Sequence, residues 1–352
     1  MKASQNSSNT VRPANLEDIA RKAGVSRSTV SRVINNEPYV SERTRAKVQA
    51  VIEAEGFSPN PAARMLVTQR TRVIGVVIPH TLLVTFQDPY YYPTLLQGVS
   101  EITHARDYAT LLWWGQSRDE EERFTQRLLR QNRLMDGLIL ASATSNDPLI
   151  EKLVDLGTPF VMVERPARFQ DRISYVSVDN VQAAQNAVSH LLSLGRKRIG
   201  TITGALDNVD GQDRLVGYRN ALEMAGVPYD PALVAEGRFT HQSGIVGARK
   251  LIRENVDAIF AANDITAIGA IQAIKEAGLR VPEDIAVIGF DDLPSSVQIT
   301  PQLTTVRQPI QQKGITATSL LLDLIEGKIE GPQHILLPTQ LIIRQSCGTI
   351  TF

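Results

Sequence analysis

From Val73 onward, short runs of β-branched and other apolar residues recur, at 73–78, 109–113, 137–141, 160–163, 199–203, 258–261 and 285–290. Stretches with helical periodicity, such as 181–194 and 265–277, lie between most of them. Runs this apolar have no polar face to offer water. Interleaved with helices, they predict parallel strands covered on both sides. Nearly 280 residues of this pattern are too many for one small doubly wound sheet. Two similar α/β lobes fit better, with a ligand held between them at the carboxyl ends of the strands. Two further strands are expected at 335–337 and 341–343, and no short-period repeat or low-complexity segment appears.

The chain before Val73 has a different texture. Residues 1–12 read as a disordered tail, and 16–57 as three short helices. Leu16, Ile19, Ala20 and Ala23 make one apolar face, with Asn15 as N-cap, Asp18 as its capping-box partner and Gly24 as the stop. Ser26 caps a second helix whose buried side is Val30, Val33 and Ile34, and Asn35-Asn36-Glu37-Pro38 breaks it. Ser41 opens a third, with Val48, Val51 and Ile52 inward and Gly56 at its end. The first two helices, joined by Ala23-Gly24-Val25, have helix-turn-helix proportions. In that motif the start of the second helix meets base edges, here Arg27, Ser28 and Thr29, with Ser31 and Arg32 a turn later. The same residues also suit the wet face of a plain three-helix scaffold.

Charge bears on that choice without deciding it, because many surface charges serve only solvation. Residues 1–72 carry 12 Lys+Arg against 6 Asp+Glu, a net of +6 that the remaining chain balances with −6. A basic head on an acidic body points to a polyanion partner. No run of about 18 apolar residues suggests a membrane span, and the polar residues 1–10 lack the apolar stretch of a secretion signal, so a cytoplasmic protein is expected. Cys347 is the only cysteine, which excludes an intrachain disulfide and a cysteine-rich zinc site. The five histidines are scattered, and no phosphate-binding loop, dinucleotide fingerprint or nucleophile elbow is present. The expectation is therefore a binding protein without metal or cofactor. An enzyme using the cleft and an exported transport protein are the alternatives.

The run Leu16-Glu17-Asp18-Ile19-Ala20-Arg21-Lys22-Ala23-Gly24-Val25-Ser26-Arg27-Ser28-Thr29-Val30-Ser31-Arg32-Val33-Ile34-Asn35 resembles the head of the lactose-repressor (LacI/GalR) family, as do Val40-Ser41-Glu42-Arg43-Thr44-Arg45 and Gly56-Phe57-Ser58-Pro59-Asn60. The resemblance implies that Arg27 and Ser28 read sequence and that Arg32 makes a further base or phosphate contact. Thr29, Ser31, Asn35 and Tyr39 then lie near the DNA backbone, with Leu16 and Ser26 completing the head's contact set. Asn60-Pro61-Ala62-Ala63-Arg64-Met65-Leu66 matches the family's hinge helix, with Asn60, Ala63 and Arg64 at the DNA and Leu66 as a minor-groove wedge. At about two turns it is marginal alone and should coil only when packed on DNA.

The body resembles the family's periplasmic-binding-protein-like domain through Asp179-Asn180, Arg214-Leu215-Val216-Gly217-Tyr218, Asn263-Asp264-Ile265-Thr266-Ala267-Ile268-Gly269-Ala270, Val281 to Asp292, and Leu303-Thr304-Thr305-Val306-Arg307-Gln308. The implied organisation is an all-helical head over 13–58, a hinge over 59–72, and an effector body over 73–346. That body has an N-lobe at about 73–176 and 309–336, and a C-lobe at about 177–307 and 338–346, with crossings near Val176, Gln308 and Leu337. No heptad tail follows, so a homodimer on a pseudopalindromic double-stranded operator is expected. The switching ligand is expected to be a small molecule, a sugar or sugar derivative.

A polyol needs bidentate charged groups for its hydroxyls and a flat apolar face for its ring. Arg214 matches the family arginine that grips effector hydroxyls or a carboxylate; by itself it also reads as a surface helix residue. Asp291 ends a buried strand and matches a family ligand acid, or serves as a turn residue. Asn263 is placed alike but equally suits a helix cap. Tyr91 and Tyr92 stand where the family often has two aromatics, to stack on a ring or to pack the core, and Phe260 is a further candidate of that kind. Glu164 stands where many relatives have an aspartate.

Overall fold

The computed structural model describes residues 14–34, 37–57, 70–78, 89–114, 123, 126, 134–141 and 144–348. They divide into two compact units, Met1–Thr71 and Arg72–Phe352.

The first unit is three helices, α1 (Leu16–Ala23), α2 (Arg27–Ile34) and α3 (Glu42–Ala54). Each begins where the sequence supplies an acceptor for orphan backbone N–H groups. Asn15 and Asp18 form a reciprocal capping box on α1, and Gly24 ends it in the left-handed region at φ 60°. The Ser26 hydroxyl accepts the Thr29 N–H at 3.1 Å, and Ser41 caps α3 through Thr44. Ile19, Ala20, Ala23, Val30, Val33 and Val48 are buried together, with Leu16, Ile34, Val51 and Ile52 packed against them.

The second unit holds two six-stranded sheets. The first is built from β1 (Val73–Ile78), β2 (Ala109–Trp114), β3 (Gly137–Ala141), β4 (Phe160–Val163), β5 (Ser174–Val178) and β11 (His334–Leu337), in the order β11-β5-β4-β3-β1-β2. The second uses β6 (Ile199–Ile202), β7 (Val234–Ala235), β8 (Ala258–Ala261), β9 (Ala286–Asp291), β10 (Thr304–Arg307) and β12 (Gln340–Ile342), in the order β12-β10-β9-β8-β6-β7. The two orders are the same winding used twice. All neighbours are parallel except β12, which runs antiparallel to β10 with Val306 opposite Leu341. The chain passes between the lobes three times, after β5, after β10 and after β11.

Helices α4 (Tyr91–Ala105), α5 (Pro148–Leu156) and α10 (Ile310–Ile325) join the first lobe. Helices α6 (Asn180–Ser193), α7 (Val209–Met224), α8 (His241–Arg253) and α9 (Asp264–Glu276) join the second. The strands divide their side chains between two cores with period two. Ile139, Ala141, Val161 and Val163 lie in one cluster, and Leu138, Leu140, Phe160 and Met162 in the other. That is why these strands have no polar side. Each such side chain taken from water stabilises the fold by about 1.5–3 kcal/mol. Strands β5, β7 and β10 fall outside the expected runs. β5 and β10 mix Ser and Thr into the strand and β7 is two residues long, so none carries a strong apolar signal.

Helices α4 and α10 meet through glycine. A Cβ on Gly98 would stand 2.1 Å from the Gln311 carbonyl oxygen, and one on Gly314 would stand 2.2 Å from that of Leu95. Both obstacles are backbone, so relief requires the helices to part. Gly98→Ala should therefore lower stability by about 1–3 kcal/mol, read as the urea midpoint of the body's unfolding, although alanine is the better helix former. An unchanged or raised midpoint would show that the helices separate freely.

Candidate functional site

Two regions collect the polar groups singled out by the sequence. In the head, Ser26 spends its hydroxyl on the cap and also lies 2.7 Å from the Ser28 hydroxyl and 2.8 Å from that of Thr29. Arg27, 68% exposed, rests 3.5 Å from Glu17, and Arg32 rests 3.7 Å from Glu37. Exposed ion pairs of this kind are worth about 0–1 kcal/mol, so either guanidinium can exchange its carboxylate for a phosphate or a guanine edge at little cost. Ser28 is exposed, Thr29 and Ser31 are half-buried, Tyr39 is among the most exposed large side chains, and Leu16 packs on the head's core. Arg45 donates to the Glu37 carbonyl at 2.7 Å, which ties the Tyr39 turn to α3. Asn35, Asn60, Ala63, Arg64 and Leu66 lie outside the described residues.

In the body, a continuous chain of polar contacts runs from one lobe to the other at the strand ends. Glu164 follows β4 directly and is buried. Its carboxylate accepts from the Tyr91 hydroxyl at 3.0 Å, from the Ser177 hydroxyl at 2.8 Å, and from the Lys313 ammonium. Lys313 sits on the first turn of α10 with 0% exposure and also donates to the Gln308 side-chain oxygen. Gln308, on the crossing after β10, donates from Nε2 to Asp291 Oδ1 at 2.6 Å. Asp291 in turn lies 3.7 Å from Arg214. The Arg214 guanidinium donates to Asn180 Oδ1 at 2.9 Å and to the Ala262 carbonyl at 2.6 Å, and lies 3.7 Å above the Phe290 ring. Asn180 closes the chain by donating to Asp210 Oδ1 at 3.1 Å.

Local backbone makes this convergence possible. Glu164 has φ 89°, Asp291 φ 116° and Asp292 φ 59°, a region that favours glycine. Three acidic residues held there, each at a cost of about 1–3 kcal/mol, turn their carboxylates off the strand ends. Asp264, fully buried at the start of α9, accepts the Leu293 N–H at 2.8 Å and the Thr305 hydroxyl, which fixes the turn after Asp291. A second set of contacts crosses at the rim. Arg165 forks onto Asp213 at 2.7 and 3.0 Å, and the Ser145 N–H donates to the Asp207 carbonyl at 2.8 Å.

The charges are unevenly matched. Burial works against the Glu164 carboxylate, but Lys313 beside it, with Ser177, brings it below its ordinary value. Asp210 has no such neighbour. Burial and then Glu164 push it up to about 7, against the pull of Arg214 and Lys313. Burial, then Asp291, holds Asp264 well above the carboxylate range, and burial, then Glu164, raises Tyr91.

Of the residues picked from sequence, Tyr91, Glu164, Arg214 and Asp291 are brought together. Asn263 caps α9 through the Thr266 N–H at 3.0 Å and donates to the Phe239 carbonyl at 3.2 Å. Tyr92 is buried in the first lobe's core, edge-on to Tyr91 at 5.1 Å. Phe260 is 1% exposed and belongs to the core under α6 and α7, so its ring has no free face. The half-exposed aromatic beside Arg214 is Phe239, 5.7 Å away. Lys313, Gln308, Asn180, Asp210, Ser177 and Phe239 are not among the site residues expected from sequence. Lys313 did leave a signal, because it is the lone charge on the face that Ile310, Gly314 and Ala317 bury. Asp210 left another, standing four residues before Arg214 on one helical face.

An acid whose folded value is raised from its ordinary 3.8 to about 7 binds protons in the folded state that the unfolded chain has released. Stability is therefore lost progressively as pH rises from about 4 to 7, and the loss is complete above that. Asp210→Asn escapes it. Its advantage in unfolding free energy, read from urea titrations, should grow from pH 5 to pH 8, to roughly 1–3 kcal/mol after allowance for relaxation, below the ceiling of about 4 kcal/mol that 1.36 kcal/mol per pKa unit sets. A difference independent of pH would show that Asp210 stays ionised throughout.

The bacterial regulatory proteins, lacI family model matches residues 15–60, and the periplasmic binding protein-like domain model matches residues 188–347. The HTH-type transcriptional regulator CelR of Thermobifida fusca is 40% identical over 334 residues, covering 94% of this chain and 97% of that protein. A solved CelR–cellobiose complex superposes with a TM-score of 0.75 at 37% identity, covering 95% of this chain and 99% of that one. The Lac repressor dimer bound to operator and the anti-inducer ONPF gives 0.78 at 28% identity, covering 96% and 99%. With the head, the twice-wound body and relatives matched along almost their whole length, this chain belongs to the LacI family of bacterial transcription regulators.

Proposed function

We propose that this protein is a homodimeric, sequence-specific repressor whose operator affinity is set by a sugar or sugar derivative bound between its two lobes. In this reading residues 13–58 read DNA, 59–72 form the hinge, and 73–346 bind effector and dimerise. It acts in the cytoplasm and catalyses no reaction. The observation that carries the reading is the pairing, in one chain, of an exposed Arg27–Ser28 face with a buried polar chain that joins two lobes at their strand ends. The relative solved with cellobiose and the repressor solved as a dimer on its operator support it.

Arg27 and Ser28 read base edges, Arg32 adds a base or phosphate contact, and Leu16, Ser26, Thr29, Ser31, Asn35 and Tyr39 register the backbone. Asn60, Ala63, Arg64 and Leu66 belong to the hinge, Leu66 as the wedge. In the cleft, Arg214, Asp291 and Glu164 hold hydroxyls, with Tyr91 and Phe239 as ring-facing groups. Asn263 fixes the Phe239 loop. Tyr92 and Phe260 support the lobes from within.

The switch is a shift between two lobe arrangements, only one of which lets paired hinges coil on DNA. The ligand must bind one arrangement more tightly, since equal affinity for both moves nothing.

Fluorescence anisotropy with genomic operator fragments tests both ends. Arg27→Ala should weaken the specific site by about 1–3 kcal/mol and relax base preference at one position; unchanged preference across operator variants removes it from the reading head. Arg214→Ala should keep operator affinity while abolishing its response to added sugar. A normal response would place the effector elsewhere.

A further inference from the structure

Two segments of the first lobe reach across to the start of α7 in the second. After β4, Arg165 donates from Nη2 to both Asp213 carboxylate oxygens at 2.7 and 3.0 Å, and from Nε to Oδ2 at 3.3 Å. After β3, Thr144 pairs antiparallel with Asn208, and the Ser145 N–H donates to the Asp207 carbonyl at 2.8 Å. Each contact stands on a fixed base. Arg165 follows Glu164, whose N–H donates to the Val176 carbonyl at 2.9 Å and whose carboxylate is held by Tyr91, Ser177 and Lys313. Asp213 precedes Arg214, which is anchored to Asn180 and the Ala262 carbonyl. Asn208 caps α7 by accepting the Asp210 and Gly211 N–H groups.

We infer that Arg165 and Asp213 are positioning residues that form a latch, holding the two lobes closed before any ligand enters. The inference rests on the two-arrangement switch proposed above and names the pair that biases it.

The fork fixes direction as well as distance, because two donors of one planar guanidinium meet both oxygens of one carboxylate. A swing of either lobe breaks that geometry. The pair is also only partly withdrawn from water, with side chains 34% and 16% exposed. When the lobes part, both ions recover their hydration, so the contact can open and reclose. A fully buried pair lacks that freedom, and the one made by Lys313 and Glu164 lies within the first lobe. Closure also meets an opposing force. Glu164 and Asp210 come from opposite lobes and are both buried; burial and then Glu164 push the Asp210 carboxyl up to about 7. The Arg165–Asp213 attraction acts one residue along from Glu164 and one turn along from Asp210, where it offsets that repulsion. Its place gives it leverage. The cross-lobe contacts stand after β3 and β4 and at the helix that follows β6, whereas the three crossings run by β5, β10, β11 and β12. A contact displaced from the crossings resists the rotation that they allow.

Distances between two spin labels on the full-length protein read this directly, by double electron–electron resonance. Leu156→Cys and Met224→Cys place the labels at exposed positions on the far ends of α5 and α7, helices that both start at the cleft and run away from it. Cys347 is buried and takes no label. Labelled chains are diluted into unlabelled protein, so that only distances within one chain are read. Arg165→Gln and Asp213→Asn each remove a charge at nearly constant size. Either should lengthen the 156–224 distance in the absence of sugar, and Arg165→Asp combined with Asp213→Arg should restore it. Operator affinity without sugar should move with the distance, by about two- to fivefold. An unchanged distance in both single variants overturns the latch, whatever the DNA result, and so does a lengthening that the exchanged pair fails to reverse. A reversible lengthening with constant operator affinity leaves the latch standing and overturns the coupling of lobes to head in the proposed function.

Discussion

A side-chain amine with no exposure to water must find its partners inside the fold, and Lys313 finds them in Glu164 and Gln308. Breaking such a pair by removing one member costs about 3–5 kcal/mol, because the survivor stays buried. The pair is placed with consequence. Lys313 stands on the first turn of α10, just past a crossing between lobes. Glu164 stands at the end of β4, and Gln308 passes the contact on to Asp291 at the end of β9. The crossing and both strand ends thus form one electrostatic unit. A group that perturbs Glu164 or Asp291 is felt in the segment joining the lobes.

The head follows the opposite economy. Its ionic contacts are exposed, long and weak, and its small core is fixed by caps at the start of each helix. Arg27 and Arg32 gain little from their present partners, which leaves them free to trade for a polyanion. Body and head therefore treat charge in different ways. In the body it is buried, paired and directional; in the head it is solvated and interchangeable.

The caps, stops and buried faces of the three head helices were legible because each depends on residues within four positions of one another. The strands β1, β3, β4 and β8 were legible to the residue because they are apolar on both faces. β5 and β10 were hidden by Ser and Thr, whose hydroxyls find partners only in the folded body: Ser177 on Glu164, Thr305 on Asp264. The site divides in the same way. Arg214, Asp291 and Glu164 stand in local patterns that name them. Phe260 fits such a pattern and yet faces the core, since one residue's shift along β8 decides which layer a side chain enters. Ser177 and Gln308 take their places in the polar chain through Glu164 and Asp291, 13 and 17 positions away. Pairings of that range leave no periodic trace in the chain.

The three passages between lobes have a mechanical consequence. They join β5, α10 and β11 of the first lobe to α6, β10 and β12 of the second, with β5 and β11 neighbours at one margin of the first sheet and β10 and β12 neighbours at the matching margin of the second. A body held by three adjacent straps keeps close to one rotational degree of freedom, a swing about the line through them. Displacement then grows with distance from that axis. The strands at the far margins, β2 and β7, travel furthest, and Leu111 and Leu112, exposed on β2, ride at the end of one such lever arm.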